Sequence, residues 1–438
     1  MGLRETLAQS RYLAYSYAYP HKTAYRPFEE PMPLQEVWKD EDQSALFLYV
    51  HIPFCEMRCG FCNLFTMAKP KLEFERDYLK VLRRQAELTR EALPDAKFAR
   101  IAIGGGTPTH LDEAGLEAVF SVVRDVMGAD ALAVPASAET SPETMTPSKA
   151  RLLREFGIDR VSMGVQSFLE SETKAVRRPQ QADVARGALD MMRSAGFPTV
   201  NIDLIYGIQD QTPETFEYSI REALKFEPEE VYLYPLYVRP LTGLGNSPRA
   251  WEDVRFALYL HGSQVLLESG YEQVSMRMFR KIAAGSDTGP VYCCQADGTV
   301  GLGAGARSYT STTHYCSEYA VGRRGVVDIL EDFVQRPDTR LSHVEYGIPM
   351  NAEEQRRRYL ILSLLSSEGL SDVDYAAKFK AQPMDDFPEL VELLEMNLAT
   401  KKDNLLVLTR EGMGWSDAIG PWLYSESVRQ SCDEFELR

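Results

Sequence analysis

The stretch Tyr49-Val50-His51-Ile52-Pro53-Phe54-Cys55-Glu56-Met57-Arg58-Cys59-Gly60-Phe61-Cys62 passes from apolar residues into a loop with three thiols inside eight positions. Its apolar part, taken as 45–52, predicts a strand. Five more runs of the same kind follow, at 98–104, 132–138, 160–164, 199–205 and 230–236. Between the first two, Phe74, Tyr78, Leu82 and Ala86 recur every four residues, as one face of a helix requires. Val184, Ala188, Met191, Met192 and Ala195 repeat that logic, with Gly196 as the stop. Six strands alternating with helices predict an α/β fold with a parallel sheet, whose right-handed crossovers let it open out or curl toward a barrel. Residues able to do chemistry fall where these strands end: the thiol loop after the first, Gly104-Gly105-Gly106-Thr107 after the second, then Glu139, Gln166 and Asp203. Barrels and open α/β sheets both gather their sites at C-terminal strand ends.

Two regions depart from this repeat. Residues 1–44 hold a tyrosine- and proline-rich stretch, Tyr12 through Pro33, unlike a regular element; they are read as an N-terminal arm. Residues 45–345 form the repeat domain. Residues 346–438 read as a small helix-rich domain, with helices at 353–366 and 388–398, a short strand at 405–409, and a helix beginning near Ser416.

The 438 residues suffice for one large domain plus a smaller one. The 48 basic and 64 acidic residues give a net charge of −16, which argues against a nucleic-acid partner, since such binding leaves a basic footprint. No apolar run approaches a membrane span: Leu360 to Leu365, with Ser363 inside it, stops at six residues. The N-terminus lacks the apolar stretch of a signal peptide, and Met1-Gly2 with Thr6 fits only the loose myristoylation pattern. A cytoplasmic location is the expectation. The seven cysteines are odd in number and three are clustered, unlike a secreted disulfide framework.

Spacings of three and two residues let Cys55, Cys59 and Cys62 converge from one loop. Iron–sulfur clusters are held by such thiolates, usually four of them, so three would leave one iron open to another ligand. A zinc site completed by His51 or a distant cysteine satisfies the same spacing.

Cys-x3-Cys-x2-Cys with Phe61 before its third cysteine resembles the signature of the radical S-adenosylmethionine (SAM) superfamily. The wider string from Tyr49 through His51-Ile52-Pro53-Phe54-Cys55 resembles the subgroup of oxygen-independent coproporphyrinogen III dehydrogenase, the haem chaperone-like proteins and the two-SAM class C methylases. That resemblance covers roughly residues 45–310 and implies a partial (β/α)6 TIM-like barrel followed by a winged-helix-like C-terminal domain. It also implies a [4Fe–4S] cluster on Cys55, Cys59 and Cys62 as metal ligands and catalytic residues. SAM binds the open iron, and its reductive cleavage gives a 5′-deoxyadenosyl radical that abstracts hydrogen from an organic substrate. A tetrapyrrole is among the substrates implied, with flavodoxin or ferredoxin as electron donor.

By the same resemblance, Tyr49, Phe61, Gly105, Gly106, Thr107 and Glu139 surround SAM. The block 104–109, GGGTPT, places close backbone beside its methionine part, and Glu139 accepts from ribose hydroxyls. Gln166, in a GxxRxSxGVQSF block at 157–168, with Arg178, Asp203, Pro235 and the glycine-rich 301–308 block, corresponds to residues around a second SAM. Without the resemblance, an Arg178–Asp203 pair reads equally as a structural ion pair.

The chain departs from the dehydrogenase at Met276-Arg277-Met278-Phe279, where the family has M-D-H-F, and at Arg307, where the family has an aliphatic residue. An arginine there suits a carboxylate or phosphate, or serves as an ordinary surface residue. Cys293-Cys294 reads as buried and inert, or as a thiol that quenches a radical or binds metal. Tyr19-Pro20-His21-Lys22-Thr23-Ala24-Tyr25 resembles the dehydrogenase's N-terminal arm, which points to a covered substrate pocket. Three readings stay open: oxidative radical chemistry, two-SAM methylation or cyclopropanation, and haem binding by a chaperone.

Overall fold

The computed structural model describes residues 2–246, 253–282 and 298–437; Cys293 and Cys294 lie outside the described residues. Seven parallel strands form its centre. In chain order they are β1 (Leu46–Ile52), β2 (Phe98–Gly105), β3 (Ala136–Thr140), β4 (Arg160–Gln166), β5 (Thr199–Tyr206), β6 (Glu230–Pro235) and β7 (Thr299–Leu302). Their spatial order is β7-β1-β2-β3-β4-β5-β6, and antiparallel strands extend both ends into one sheet of thirteen. Beyond β6 lie Met278–Lys281 and Tyr271–Gln273; beyond β7 lie Arg307–Tyr309, Thr313–Cys316, His343–Pro349 and Arg26–Pro33.

Alternation along each strand gives the sheet two unlike faces. Leu46, Leu48, Val50 and Ile52, with Ile101, Ile103, Val161, Met163, Val200, Ile202, Val231 and Leu233, are sealed in one core together with Tyr78, Leu82 and Ala86 of the helix Leu72–Ala92. The alternate positions Tyr49, Glu139, Arg160, Asp203, Tyr232 and Tyr234 remain partly or largely open. A sheet backed by helices on one side and polar on the other needs a water-filled or ligand-filled space on the polar side.

That space is a lumen, because the sheet curls. Seven strands separate Met278–Lys281 from Arg307–Tyr309 in the sheet order. At about 4.8 Å per strand a flat sheet would hold them roughly 38 Å apart. Yet Arg277 lies 3.6 Å from the ring centre of Tyr15, Arg307 donates to the Tyr17 hydroxyl at 2.5 Å, and the two tyrosine rings are 4.8 Å apart. Only a strongly curved sheet brings its two flanks to neighbouring rings. The architecture is the partial TIM-like barrel expected, with a small helix-rich C-terminal region.

Four sequence expectations change. The third strand runs Ala136–Thr140 and not 132–138: Leu132 is 76% exposed, in a turn closed by Leu132 and Ala133 N–H groups on Asp130. The stretch Tyr12 through Pro33 is not wholly irregular. Arg26–Pro33 pairs antiparallel with His343–Pro349, which also carries regular strand across the expected break at 345. Prolines at 27, 31 and 33 are tolerated because Arg26–Pro33 is an edge strand. The helix expected at 388–398 is a 3₁₀ turn, Pro388–Leu390, and a short helix, Val391–Glu395. Strand β7 runs into the start of the block 301–308, read only as glycine-rich; four residues are too few to show a period.

Candidate functional site: a thiol loop at the mouth of the lumen

The thiol loop leaves β1 and is fastened at several points. Gly106 N–H donates to the Ile52 carbonyl and Thr107 N–H to the Phe54 carbonyl, tying the glycine turn after β2 to the loop. A Cβ on Gly106 would lie 2.6 Å from the Phe54 carbonyl oxygen and 2.9 Å from Cys55 Sγ, so glycine is what lets this backbone seat the first thiol. The Thr107 hydroxyl donates to Cys55 Sγ at 3.5 Å. Gly60 N–H donates to the Val176 carbonyl at 3.0 Å, and Phe61 packs on Val176, Ile205, Ile208 and Leu236. Arg178 Nη1 donates to Cys59 Sγ at 3.2 Å.

Burial pushes the Cys55 thiol up to about 12, and the neighbouring Cys62 and Cys59 add to the shift; Cys62 is raised foremost by burial as well. Crowded, buried thiols have little reason to ionise until a cation arrives, and loading a metal then releases their protons. Among the described residues no three His, Cys, Asp or Glu side chains gather around one point that could hold a single metal ion. A polynuclear cluster does not require that, because each thiolate binds a different iron.

His51 takes no part as a ligand. Its Nε2 lies 3.1 Å from the Phe65 carbonyl, which only accepts, so Nε2 carries the proton; Nδ1, 3.1 Å from the Tyr49 hydroxyl, accepts. Burial lowers its pKa to about 4 and keeps the ring neutral. His51 therefore braces β1 against the loop, with Tyr49 oriented beside it. Zinc completed by His51 loses its fourth ligand.

Glu139 stands at the end of β3, open to the lumen, and accepts the Gly105 N–H at 2.9 Å; burial raises its pKa. Gly105 has φ +116°, and a Cβ there would strike the His51 ring at 2.6 Å. Around Gly164 a second polar group assembles. Arg178 Nη2 donates to its carbonyl at 2.8 Å, Asp203 sits opposite it in register, and Gln166 follows a bulge with φ +71°. Left-handed backbone at a glutamine is strain that a site can exploit. Asp203 accepts from Asn201 at 2.7 Å; burial lifts its pKa to about 7 against that bond and the pull of Arg160. No ion pair joins Arg178 and Asp203: Arg178 holds a thiol and a carbonyl instead. Pro235, the last residue of β6, is buried. Arg307 begins the strand Arg307–Tyr309 beside β7 and donates to the Tyr17 hydroxyl.

A covered pocket was expected from the N-terminal arm, but the residues that form the roof were not named. Tyr15 and Tyr17 come from the N-terminal stretch, and Arg277 reaches Tyr15 while paired with Asp417. The signals were a tyrosine-rich arm and a lone arginine inside the apolar string 274–279.

Three thiols at the rim of a curled parallel sheet, with a glycine turn pressed on the first of them, define an iron–sulfur enzyme fold of the radical SAM kind. The model of the Radical SAM superfamily matches residues 49–223, and the chain belongs to that superfamily, in its HemN-like subgroup, since residues 350–415 match the HemN C-terminal domain. Its cofactors are a [4Fe–4S] cluster and SAM. The thiol set and the Gly106 cradle fit such a cluster.

Relatives of two kinds are similar over most of the chain. The heme chaperone HemW of Bacillus subtilis is 26% identical, across 83% of this chain and 95% of its own. The oxygen-independent coproporphyrinogen III oxidase of Escherichia coli is also 26% identical, across 91% and 89%. The solved structure of the Escherichia coli coproporphyrinogen III oxidase (HemN) superposes with a TM-score of 0.79 at 21% identity, covering 93% of this chain and 96% of that one; it shares the fold. No helix among the described residues is long and apolar enough to cross a membrane.

Proposed function

We propose that this chain is a radical SAM enzyme that acts on an organic substrate of the tetrapyrrole class held in the lumen. The observation that carries the reading is the thiol loop opening onto a polar, roofed cavity. Cys55, Cys59 and Cys62 would hold the cluster, with Thr107 and Arg178 donating to the first two sulfurs. Glu139, anchored by Gly105 N–H, keeps lone pairs free toward the lumen for ribose hydroxyls. When bound and reduced by a flavodoxin- or ferredoxin-like donor, the cluster and SAM supply a 5′-deoxyadenosyl radical that abstracts a substrate hydrogen. Tyr15 and Tyr17, whose rings lie 4.8 Å apart, would cover the substrate in the lumen.

Two-SAM methyl transfer is the second reading, favoured by the polar group that Gln166, Arg178 and Asp203 build around Gly164. Oxidative decarboxylation is less favoured, because the position where the dehydrogenase carries Asp and His is occupied by Arg277, committed to Asp417. A haem chaperone has less use for a roofed cavity.

The test is anaerobic cluster reconstitution, then SAM, dithionite and candidate tetrapyrroles. Release of 5′-deoxyadenosine supports the class. S-adenosylhomocysteine with a methylated product selects methyl transfer, and a decarboxylated product selects oxidation. Tight haem binding with no SAM cleavage would overturn the enzyme in favour of the chaperone.

A further inference from the structure

We propose that Glu172 is a positioning residue for the iron–sulfur cluster: it fixes the turn that carries Arg178 to Cys59 and so helps to set the cluster's reduction potential. That role holds whichever substrate the lumen takes, because it bears on the cluster alone.

Glu172 lies in the six-residue helix Glu170–Ala175, between β4 and Arg178. A helix this short, with no side-chain cap at Leu169, does not hold itself; contacts from outside must fix its place. Glu172 makes them. The residue is 5% exposed, and its Oε2 accepts from the Ser167 hydroxyl at 2.7 Å and from Gln211 Nε2 at 3.0 Å. Ser167 directly follows β4, and its hydroxyl also accepts the Leu169 N–H at 3.0 Å. Gln211 belongs to the turn after β5, where its Oε1 accepts the Gly207 and Ile208 N–H groups at 2.7 and 3.2 Å. One carboxylate thus ties the helix to the ends of two neighbouring strands.

The far end of the helix meets the thiol loop. Val176 N–H donates to the Glu172 carbonyl at 3.2 Å, and the Val176 carbonyl accepts the Gly60 N–H at 3.0 Å, between the second and third thiols. Arg178 N–H donates to the Thr173 carbonyl at 2.8 Å, while its guanidinium reaches Cys59 Sγ at 3.2 Å. Ile205 and Ile208, beside the Gln211 turn, pack with Val176 in the apolar group that receives Phe61. Both bonds of the carboxylate therefore lead back to the loop.

No cation pairs with Glu172 among the described residues, and its Oε1 has no partner there. Burying a carboxylate in this way is costly, and an apolar side chain would avoid the cost. Two converging donors, however, require a group that only accepts. Hydrogen bonds to the sulfurs tune an iron–sulfur potential, and the residues behind a metal's ligands orient them.

The experiment is a redox titration of the reconstituted full-length protein, followed by electron paramagnetic resonance. Glu172→Leu is expected to make the midpoint potential more negative, as Arg178→Leu should, because the arginine's bond to sulfur is lost. The expected size is a tenfold change in the oxidised-to-reduced ratio, about 59 mV. In a protein already carrying Arg178→Leu, it should move the potential no further in that direction. Glu172→Gln keeps an oxygen for both donors and should hold the potential at or above that of the unaltered protein. The sign separates positioning from plain electrostatics, since losing a carboxylate that acted only through its charge would make the potential more positive. A positive or absent shift in Glu172→Leu, or a full negative shift on top of Arg178→Leu, overturns the proposal. Should Glu172→Leu fail to fold or to load iron, Ser167→Ala removes one donor and is read the same way. A negative shift that vanishes in the Arg178→Leu background upholds the proposal, and an unmoved potential overturns it.

Discussion

Arg277 and Asp417 form an ion pair, Nη2 to Oδ2 2.6 Å, with side chains only 2% and 1% exposed. It joins the rim of the curled sheet to the C-terminal helix Ser416–Trp422, and Ala14 N–H donates to the Asp417 carbonyl at 3.1 Å. Burial opposes the arginine's charge, and Asp417 with Tyr237 outweighs it, so the cation persists. Three parts of the chain thus meet at one charge pair.

Removing one partner strands the other in a sealed site, which costs about 3–5 kcal/mol. Asp417→Ala should lose that much in urea unfolding. The double change Arg277→Met with Asp417→Leu should recover most of it. Trypsin should also cut the N-terminal stretch faster in the single variant, because the anchor for Ala14 and Tyr15 is gone.

Gly106→Ala tests the cradle. Its Cβ would meet a backbone carbonyl at 2.6 Å, an atom that cannot swing aside. Overpacking of this kind costs about 1–3 kcal/mol. Iron and sulfide bound per chain after reconstitution should fall well below the level of the unaltered protein. An equal iron content would show that the loop shifts freely.

Arg178 donates a charged hydrogen bond to Cys59 Sγ. Such a donor stabilises the more negative, reduced cluster, so Arg178→Leu should make the cluster midpoint potential more negative. Each tenfold loss of that preference corresponds to about 59 mV. Electron paramagnetic resonance during a redox titration would measure it, and an unmoved potential would remove Arg178 from the sulfur's surroundings. As a reference, Cys59→Ala should abolish the brown cluster absorbance and leave the chain folded.

His110 sits in the turn after the glycines, 3.8 Å from Glu56 of the thiol loop and 3.1 Å from Glu75. Glu56 and Glu75 raise it to about 9, against burial. A histidine raised on folding adds stability that is complete below its unfolded value, about 6.5, and lost as pH climbs through about 9. Stability from this group should therefore decline between pH 6.5 and 9, and His110→Gln should flatten that part of the profile in denaturant titrations. A slope unchanged by His110→Gln would discount the bridge.

Much of the site was readable one residue after another. The thiol spacing, the glycine turn and the strand ends at Glu139, Gln166 and Asp203 are local signals, since a strand's period and a loop's spacing are written in consecutive residues. The same rule explains the misplaced third strand: Leu132 is apolar, and an apolar residue in a turn cannot be told from a strand residue by hydrophobicity alone.

What the sequence determined by itself is the repeat of strand and helix and the three-cysteine loop at its first turn, because backbone periodicity and short loops are set within a few residues. Only the tertiary structure decided the lumen: Tyr17 meets Arg307 across 290 residues and Arg277 meets Asp417 across 140. Such contacts depend on how tightly a thirteen-stranded sheet curls. Curvature sums small twists between neighbouring strands, and no single residue spells it out.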